Sequence, residues 1–279
     1  MYKQKLGISV GNTYKVKTEE VIKIVADCKF DAVSPEWSPE YDIEKIAKTA
    51  YENGLTLQSL HAPFGGSASM WGDDKDAADD AQKQLLTSLE DAKNYNIPIL
   101  VAHTWIGFEN LPKPSDTGFS NYEKLVNRAE QCGVKIAFEN TEGDEFPEAL
   151  MNHFKGCDTV GYCLDSGHEM CYNHSEDLLG KYGDRLIMTH VNDNLGISRF
   201  DGKVFWTDDL HLLPFDGIAD WDYNAKRLKK CPIPEFLNFE LNIQSKPERH
   251  ENDKYARMPL EEYFTEAYIR ACRVAYKLH

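Results

Sequence analysis

This chain predicts an α/β protein, a single-domain (β/α)8 or TIM barrel spanning residues 1–279, on three observations. Strand-like and helix-like segments alternate from end to end without a composition break. Eight segments read as strands, the number a closed parallel barrel needs. Six short apolar runs, LTLQSLH, IPILVAH, VKIAFE, VGYCLD, RLIMTH and FLNFE, each end on a carboxylate or histidine: His61, His103, Glu139, Asp165, His190 and Glu240. Such groups are costly in a core unless paired or bound to a cation. A barrel would bring all six together at its C-terminal mouth.

The strands expected in order are 6–9, 30–34, 55–61, 98–103, 135–139, 160–165, 186–190 and 237–241. Between them lie stretches with helical spacing. Ile43, Ile46, Ala47, Ala50 and Tyr51 fall on one face, and Asn53-Gly54 supplies a stop. Ala78, Ala81, Leu85, Leu89 and Ala92 repeat the pattern ahead of Pro98. Leu125, Val126, Ala129 and Cys132 do so again, closed by Gly133. The last helix, about 260–278, has Tyr263, Phe264, Ala267, Ala271, Val274 and Leu278 on its apolar side. A doubly wound open sheet is the competing architecture, but no GxGxxG follows the first strand. The longest irregular stretch, 191–221, contains Phe200, Phe205, Trp206 and Trp221 and is expected to fold over the barrel mouth.

Hydrophobic residues make up 42% of the 279 and charged ones 28%, as in a soluble globular protein. No apolar run approaches a membrane span, and the N-terminus lacks the apolar stretch of a secretory signal. Seven cysteines without a CxxC pair fit reduced thiols and a cytoplasmic location; Cys163 and Cys171 read as packing residues. A formal charge of −15 counts against nucleic acid as a partner. The basic run Lys226-Arg227-Leu228-Lys229-Lys230 reads as the solvated face of a helix.

Glu139, Asp165, His190 and Glu240 would close strands five to eight. Three oxygen donors and one imidazole suit one divalent ion such as Mn2+, Mg2+ or Zn2+. A lone strand-end carboxylate often only pairs with a lysine or caps a helix, but four successive strands ending this way favour a metal.

The segments LHAPFGG, VAHTW, IAFENTEG, GYCLDSGHEM, THVNDN, DDLHLLPFDGIADW and NFELN, in this order and spacing, resemble the xylose-isomerase-like barrel superfamily over most of the chain. That superfamily joins sugar isomerases and epimerases with endonuclease-IV-type enzymes. The resemblance to its sugar branch implies one metal held by Glu139, Asp165, His190 and Glu240. The two glutamates would act as acid and base in proton transfer next to a carbonyl, via an enediolate. His168 matches a substrate-contacting histidine, with a backbone-bonded helix-start histidine as the plainer role. His61 and His103, lining the mouth, are open between substrate contact and scaffold, and Asp209 and His211 are further substrate-binding candidates. The resemblance to the other branch implies a trinuclear zinc phosphodiesterase with nine ligands. These are the four above together with His61, His103, His168, Asp209 and His211. Charge, the acidic or neutral loops SPEWSPE and APFGGSASMWGDD, and Trp37, Trp71, Trp105 and Trp206 in loops after strands favour a small sugar substrate. The indoles can pack on a sugar ring or simply on the lid. The arginine that sugar epimerases carry after THVNDN has only Arg199 as a candidate. Barrels of this sort often pair, so a homo-oligomer is left open.

Overall fold

The computed structural model describes residues 4–108 and 112–279. Nine short strands appear among them: β1 (Lys5–Val10), β2 (Ala32–Pro35), β3 (Thr56–Leu57), β4 (Leu60–His61), β5 (Ile99–His103), β6 (Lys135–Glu139), β7 (Val160–Asp165), β8 (Leu186–His190) and β9 (Phe236–Phe239). They pair in parallel as β3-β2-β1-β9 and β4-β5-β6-β7-β8. Parallel bridges Glu36 to His61 and Val191 to Phe239 join the two sheets at both seams and close the barrel. All eight expected strands are present, the third divided at Gln58-Ser59. Its first half follows β2 and its second half follows β5. Gln58 is buried at the break and donates from Nε2 to the Phe236 carbonyl at 3.0 Å. Gly7 in β1 makes room there, because a Cβ would stand 2.7 Å from Gln58 Oε1.

The helices are α1 (Thr18–Asp27), α2 (Ile43–Glu52), α3 (Lys75–Asn94), α4 (Asp116–Cys132), α5 (Glu145–His153), α6 (Ser166–Cys171), α7 (Leu178–Tyr182), α8 (Trp221–Leu228) and α9 (Leu260–Tyr276). Their starts are chemically marked. Asp42, Asp74 and Ser115 accept from the backbone N–H of Lys45, Ala77 and Gly118, satisfying donors that the first turn leaves free. Gly54 and Gly133 lie at φ 74° and 69°, left-handed positions that end α2 and α4 at the expected stops. Tyr51 departs from expectation. It is 47% exposed, because its hydroxyl reaches out to donate to the Tyr95 carbonyl at 2.6 Å.

Strand alternation separates two apolar layers. Phe138, Leu164 and other outward residues pack under the helices in the main core. Val101, Ala137, Cys163 and Met188 form a small cluster of their own. Each precedes His103, Glu139, Asp165 or His190 by two positions, so this cluster is the floor beneath those groups. All seven cysteines are free thiols. Among the described residues no helix is long and apolar enough to cross a membrane.

The stretch 191–221 is organised by one buried carboxylate. Asp193 accepts from the N–H groups of Asn194, Phe215 and Ala219 and from Trp221 Nε1, at 2.9, 2.8, 3.0 and 3.2 Å. Those bonds fold the stretch back on itself and orient the segment carrying Asp209 and His211. Arg227 corrects the expectation for the basic run. It is 7% exposed, turned onto α6 with a two-pronged pair to Glu169 at 2.8 and 2.5 Å and a third contact to Asp177 at 2.9 Å. A charge run in sequence therefore hides one inward-facing member.

Asp216 ties the end of the stretch to α9 through Arg270 at 2.7 Å, Lys254 at 3.2 Å and the Tyr255 hydroxyl at 2.5 Å. Burial alone would raise its carboxyl, but these donors outweigh burial and hold it below the usual range. A depressed folded-state value gives stability that is present above the unfolded value of about 3.9 and is lost as pH falls through the folded one. Asp216→Asn should therefore flatten the acid limb of thermal stability below about pH 4, measured by melting temperature against pH.

Candidate metal centre

The C-terminal ends of the strands converge on a cavity of about 360 Å³, within the usual size of a small-molecule site. His61 ends β4, His103 β5, Glu139 β6, Asp165 β7 and His190 β8, and Glu240 follows β9. Register does the aligning: His103 is opposite Glu139, and Asp165 opposite His190. Glu139, Asp165, His190 and Glu240 each bring one ligand atom within 4.8 Å of the others. His190 Nδ1 lies 2.9 Å from Glu139 Oε1 and 2.7 Å from Glu240 Oε2.

All nine sequence candidates meet here. Glu139 Oε2 faces His61 Nε2 and His103 Nε2, both at 3.3 Å. Asp209 Oδ1 stands 2.8 Å from His211 Nε2 and 3.5 Å from His168 Nε2. His61, His103 and Glu139 form a second ligand group, and Asp165, His168 and His211 a third.

Backbone carbonyls set the ring orientations. Nδ1 of His61, His168 and His211 lies 2.8, 2.9 and 3.2 Å from the carbonyls of Ala62, Asn140 and Glu240. A carbonyl only accepts, so each Nδ1 carries its proton there and a neutral ring presents a bare Nε2 to the cavity. Those bare nitrogens then face carboxylate oxygens, acceptor against acceptor. Such a contact needs a proton or a metal ion between the atoms. Asp209 Oδ1 and His103 Nδ1 are buried without a hydrogen bond, the condition expected of groups shaped for a cation. The donor set thus fits a divalent ion.

Protons fill this electrostatic role in the metal-free protein. Burial would raise the Glu139 carboxyl, but His190 and His103 outweigh it and hold it well below the usual range. Burial likewise opposes the drop of Glu240 to about 2, for which His190 is the main cause. Burial would lower the histidines, yet Asp165 and Asp209 lift His168 well above its usual value, and Asp209 lifts His211 to about 9. A divalent ion would displace such protons.

Several contributing residues lie outside the six strand ends that the sequence marks. Glu36 lines the cavity one residue past β2, where the same rule finds it. Asn140 follows Glu139 and clamps Asp165. Its Nδ2 donates to the Asp165 carbonyl and its Oδ1 accepts from the Asp165 N–H, at 2.9 and 2.8 Å. Asn192 donates from Nδ2 to Asp165 Oδ2 at 2.9 Å. Partners of this kind orient ligands, and Asn140→Ala should weaken divalent-metal affinity by roughly 10–100-fold, measured by competition with a metal-binding dye. Lys246, from an irregular segment, lines the cavity and pairs with Asp209 at 3.4 Å.

Of the four loop indoles only Trp206 lines the cavity. The others are packing groups: Trp37 donates to Asp91, Trp71 to the Thr104 carbonyl, and Trp105 to the Gly107 carbonyl while stacking on Phe146 at 4.3 Å. Arg199 also stays out of the cavity lining, pairing with Asp201 at the surface.

The comparisons agree with this architecture. Over 84 residues, 30% of this chain, it is 43% identical to the uncharacterized protein y4fM of Sinorhizobium fredii (strain NBRC 101917 / NGR234); the match spans 24% of that protein. Among solved structures, the zinc-bound IolI protein superposes with a TM-score of 0.77 at 16% identity, covering 98% of this chain and 99% of IolI. D-psicose 3-epimerase from Clostridium cellulolyticum H10 gives 0.71 at 16%, covering 98% and 99%. A family 2 AP endonuclease from Brucella melitensis gives 0.65 at 15%, covering 88% and 95%. At these identities the likeness is one of fold. The family model for the xylose isomerase-like TIM barrel matches residues 22–260, and the chain belongs to that family.

Proposed function

We propose that this protein is a divalent-metal-dependent isomerase or epimerase of a sugar or sugar derivative. The observation that carries the reading is the convergence of Glu139, Asp165, His190 and Glu240, with ligand atoms within 4.8 Å of one another, where Glu139 and Glu240 line a small-molecule cavity. A divalent ion bound there supplies polarisation of a substrate carbonyl and lowers the acidity barrier of the adjacent C–H. Glu139 and Glu240 are held ionised, as a proton acceptor must be. Each is anchored to His190, which fixes the carboxylates relative to each other. One takes the proton from carbon and the other, or the same one, returns it. Structural relatives that are psicose and ribulose 3-epimerases support this class. So does IolI, which binds a zinc atom. The test is solvent-deuterium incorporation into a panel of ketoses and keto-sugars by metal-loaded protein, read by mass spectrometry. Exchange next to the carbonyl supports the reading, and none across the panel overturns it.

A second reading is favoured by the two further ligand groups. His61, His103 and Glu139 on one side, and Asp165, His168 and His211 on the other, share Glu139 and Asp165 with the first group, and Asp209 stands beside His168 and His211. That arrangement suits three zinc ions and phosphoester cleavage, as in the endonuclease-IV branch. Turnover of phosphodiesters, with abasic duplex and bis(4-nitrophenyl) phosphate as probes, would replace the first reading by this one.

A further inference from the structure

The cavity is two-tiered. Its floor is polar, but Tyr172, Phe108 and Trp206 line it as part of a ladder of rings that leads from that floor to solvent. Tyr172 stacks on His168 at 4.9 Å; Phe108 lies 5.5 Å from Tyr172, Phe205 6.0 Å from Phe108, and Trp206 6.1 Å from Phe205. Phe64 stacks on His103 at 4.7 Å from another side. The outer rings remain open: Phe64 is 43% exposed, and Phe205 and Trp206 are each 42% exposed. Aromatic surface left in water at the entrance of a polar site marks a place where apolar ligand surface is buried. No ring of the ladder is a proposed metal ligand, so the ladder serves a part of the substrate that does not react.

Charge narrows the class. Beyond the proposed metal ligands the described lining adds the carboxylates Glu36, Glu142 and Asp209. Lys246 is the only lysine or arginine in that lining, and it is engaged by Asp209 at 3.4 Å and by the Trp206 ring at 5.8 Å. A phosphate on the remote end of a sugar would meet rings and carboxylates, with one already engaged lysine to neutralise it. A flat apolar group would stack on the ladder.

Resting on the isomerase reading, the geometry points to an uncharged keto-sugar bearing a flat apolar substituent, an aryl glycoside that already carries a ring ketone, as the substrate class of this site. The sugar occupies the floor and the aryl ring lies along Phe108 and Trp206, which line the cavity.

The test uses metal-loaded full-length protein and calorimetric titration with matched probes: phenyl glycosides, methyl glycosides, free sugars and sugar 6-phosphates of the same hexoses. Phenyl glycosides are expected to bind about tenfold more tightly than methyl glycosides, the size of one aromatic stacking contact. Trp206→Ala, a truncation at a half-exposed position, should remove that preference, read as the ratio of phenyl to methyl glycoside affinity, and Phe108→Ala should do the same. Equal affinity for phenyl and methyl forms, no measurable phenyl glycoside binding, or tighter binding of the 6-phosphates would overturn the assignment. Deuterium exchange keeps the two claims apart. A phenyl preference without exchange into any keto form supports aryl recognition and rejects the isomerase reading. Exchange on a free sugar with no phenyl preference does the reverse.

Discussion

Glu139→Gln is expected to reduce solvent-deuterium incorporation into the substrate on the order of 10³-fold, because it removes a proton acceptor of the kind that supplies ~10²–10⁴ in rate and also a metal ligand. Glu139 sits at the centre of the site, with one oxygen toward His190 and the other toward His61 and His103. The amide keeps the shape but not the charge, so His190 and His103 lose the carboxylate they face. Glu240→Gln should lose exchange to a similar degree. Its side chain is further from full burial than that of Glu139 (22% against 1% exposed), so its fold should be the less disturbed of the two. If either protein kept full exchange, that glutamate would be no acid or base. Circular dichroism on both variants separates loss of chemistry from loss of fold.

Arg227→Met should destabilise the protein by ~3–5 kcal/mol in urea unfolding, the cost of leaving a buried carboxylate without its partner. Glu169 and Arg227 are both largely buried, and Glu169 also accepts from the Leu178 N–H at 3.1 Å. The double variant Arg227→Met/Glu169→Leu should recover most of the loss, since it removes both charges. Glu169 is the next residue after His168 on α6, so the pair holds that helix against α8 and thereby the His168 ring. A single variant with unchanged stability would show that the pair contributes only specificity of packing.

The barrel was legible because burial on both faces writes parallel strands as continuous apolar runs, and a polar residue at the end of a run stands out. The six runs named from sequence all became strands ending at the cavity, the last one residue before Glu240. The break at Gln58-Ser59 was not legible. It depends on which neighbour each half follows and on a bond from Gln58 to Phe236 across 178 positions. Arg227 was misread for a related reason: local charge density says nothing about one side chain that turns inward to a carboxylate 58 positions away. The indoles show the same limit. Trp71 and Trp105 follow strands and look like rim groups, but each finds a backbone carbonyl and an aromatic neighbour inside. The ladder of Phe108, Phe205 and Trp206 draws on two separate loops, and no spacing in sequence announces it.

Metal content per chain tests the central claim most directly. Protein purified without chelator or affinity nickel, and then re-equilibrated with Mn2+, Mg2+ and Zn2+, is measured by elemental analysis beside the Asp165→Asn variant. The account predicts about one tightly held divalent ion per chain in the wild type, as a site of three carboxylates and one imidazole requires, and its loss in the variant. Protein that holds no ion after re-equilibration would contradict the account, and about three zinc ions per chain would contradict its single-metal form in favour of phosphoester chemistry.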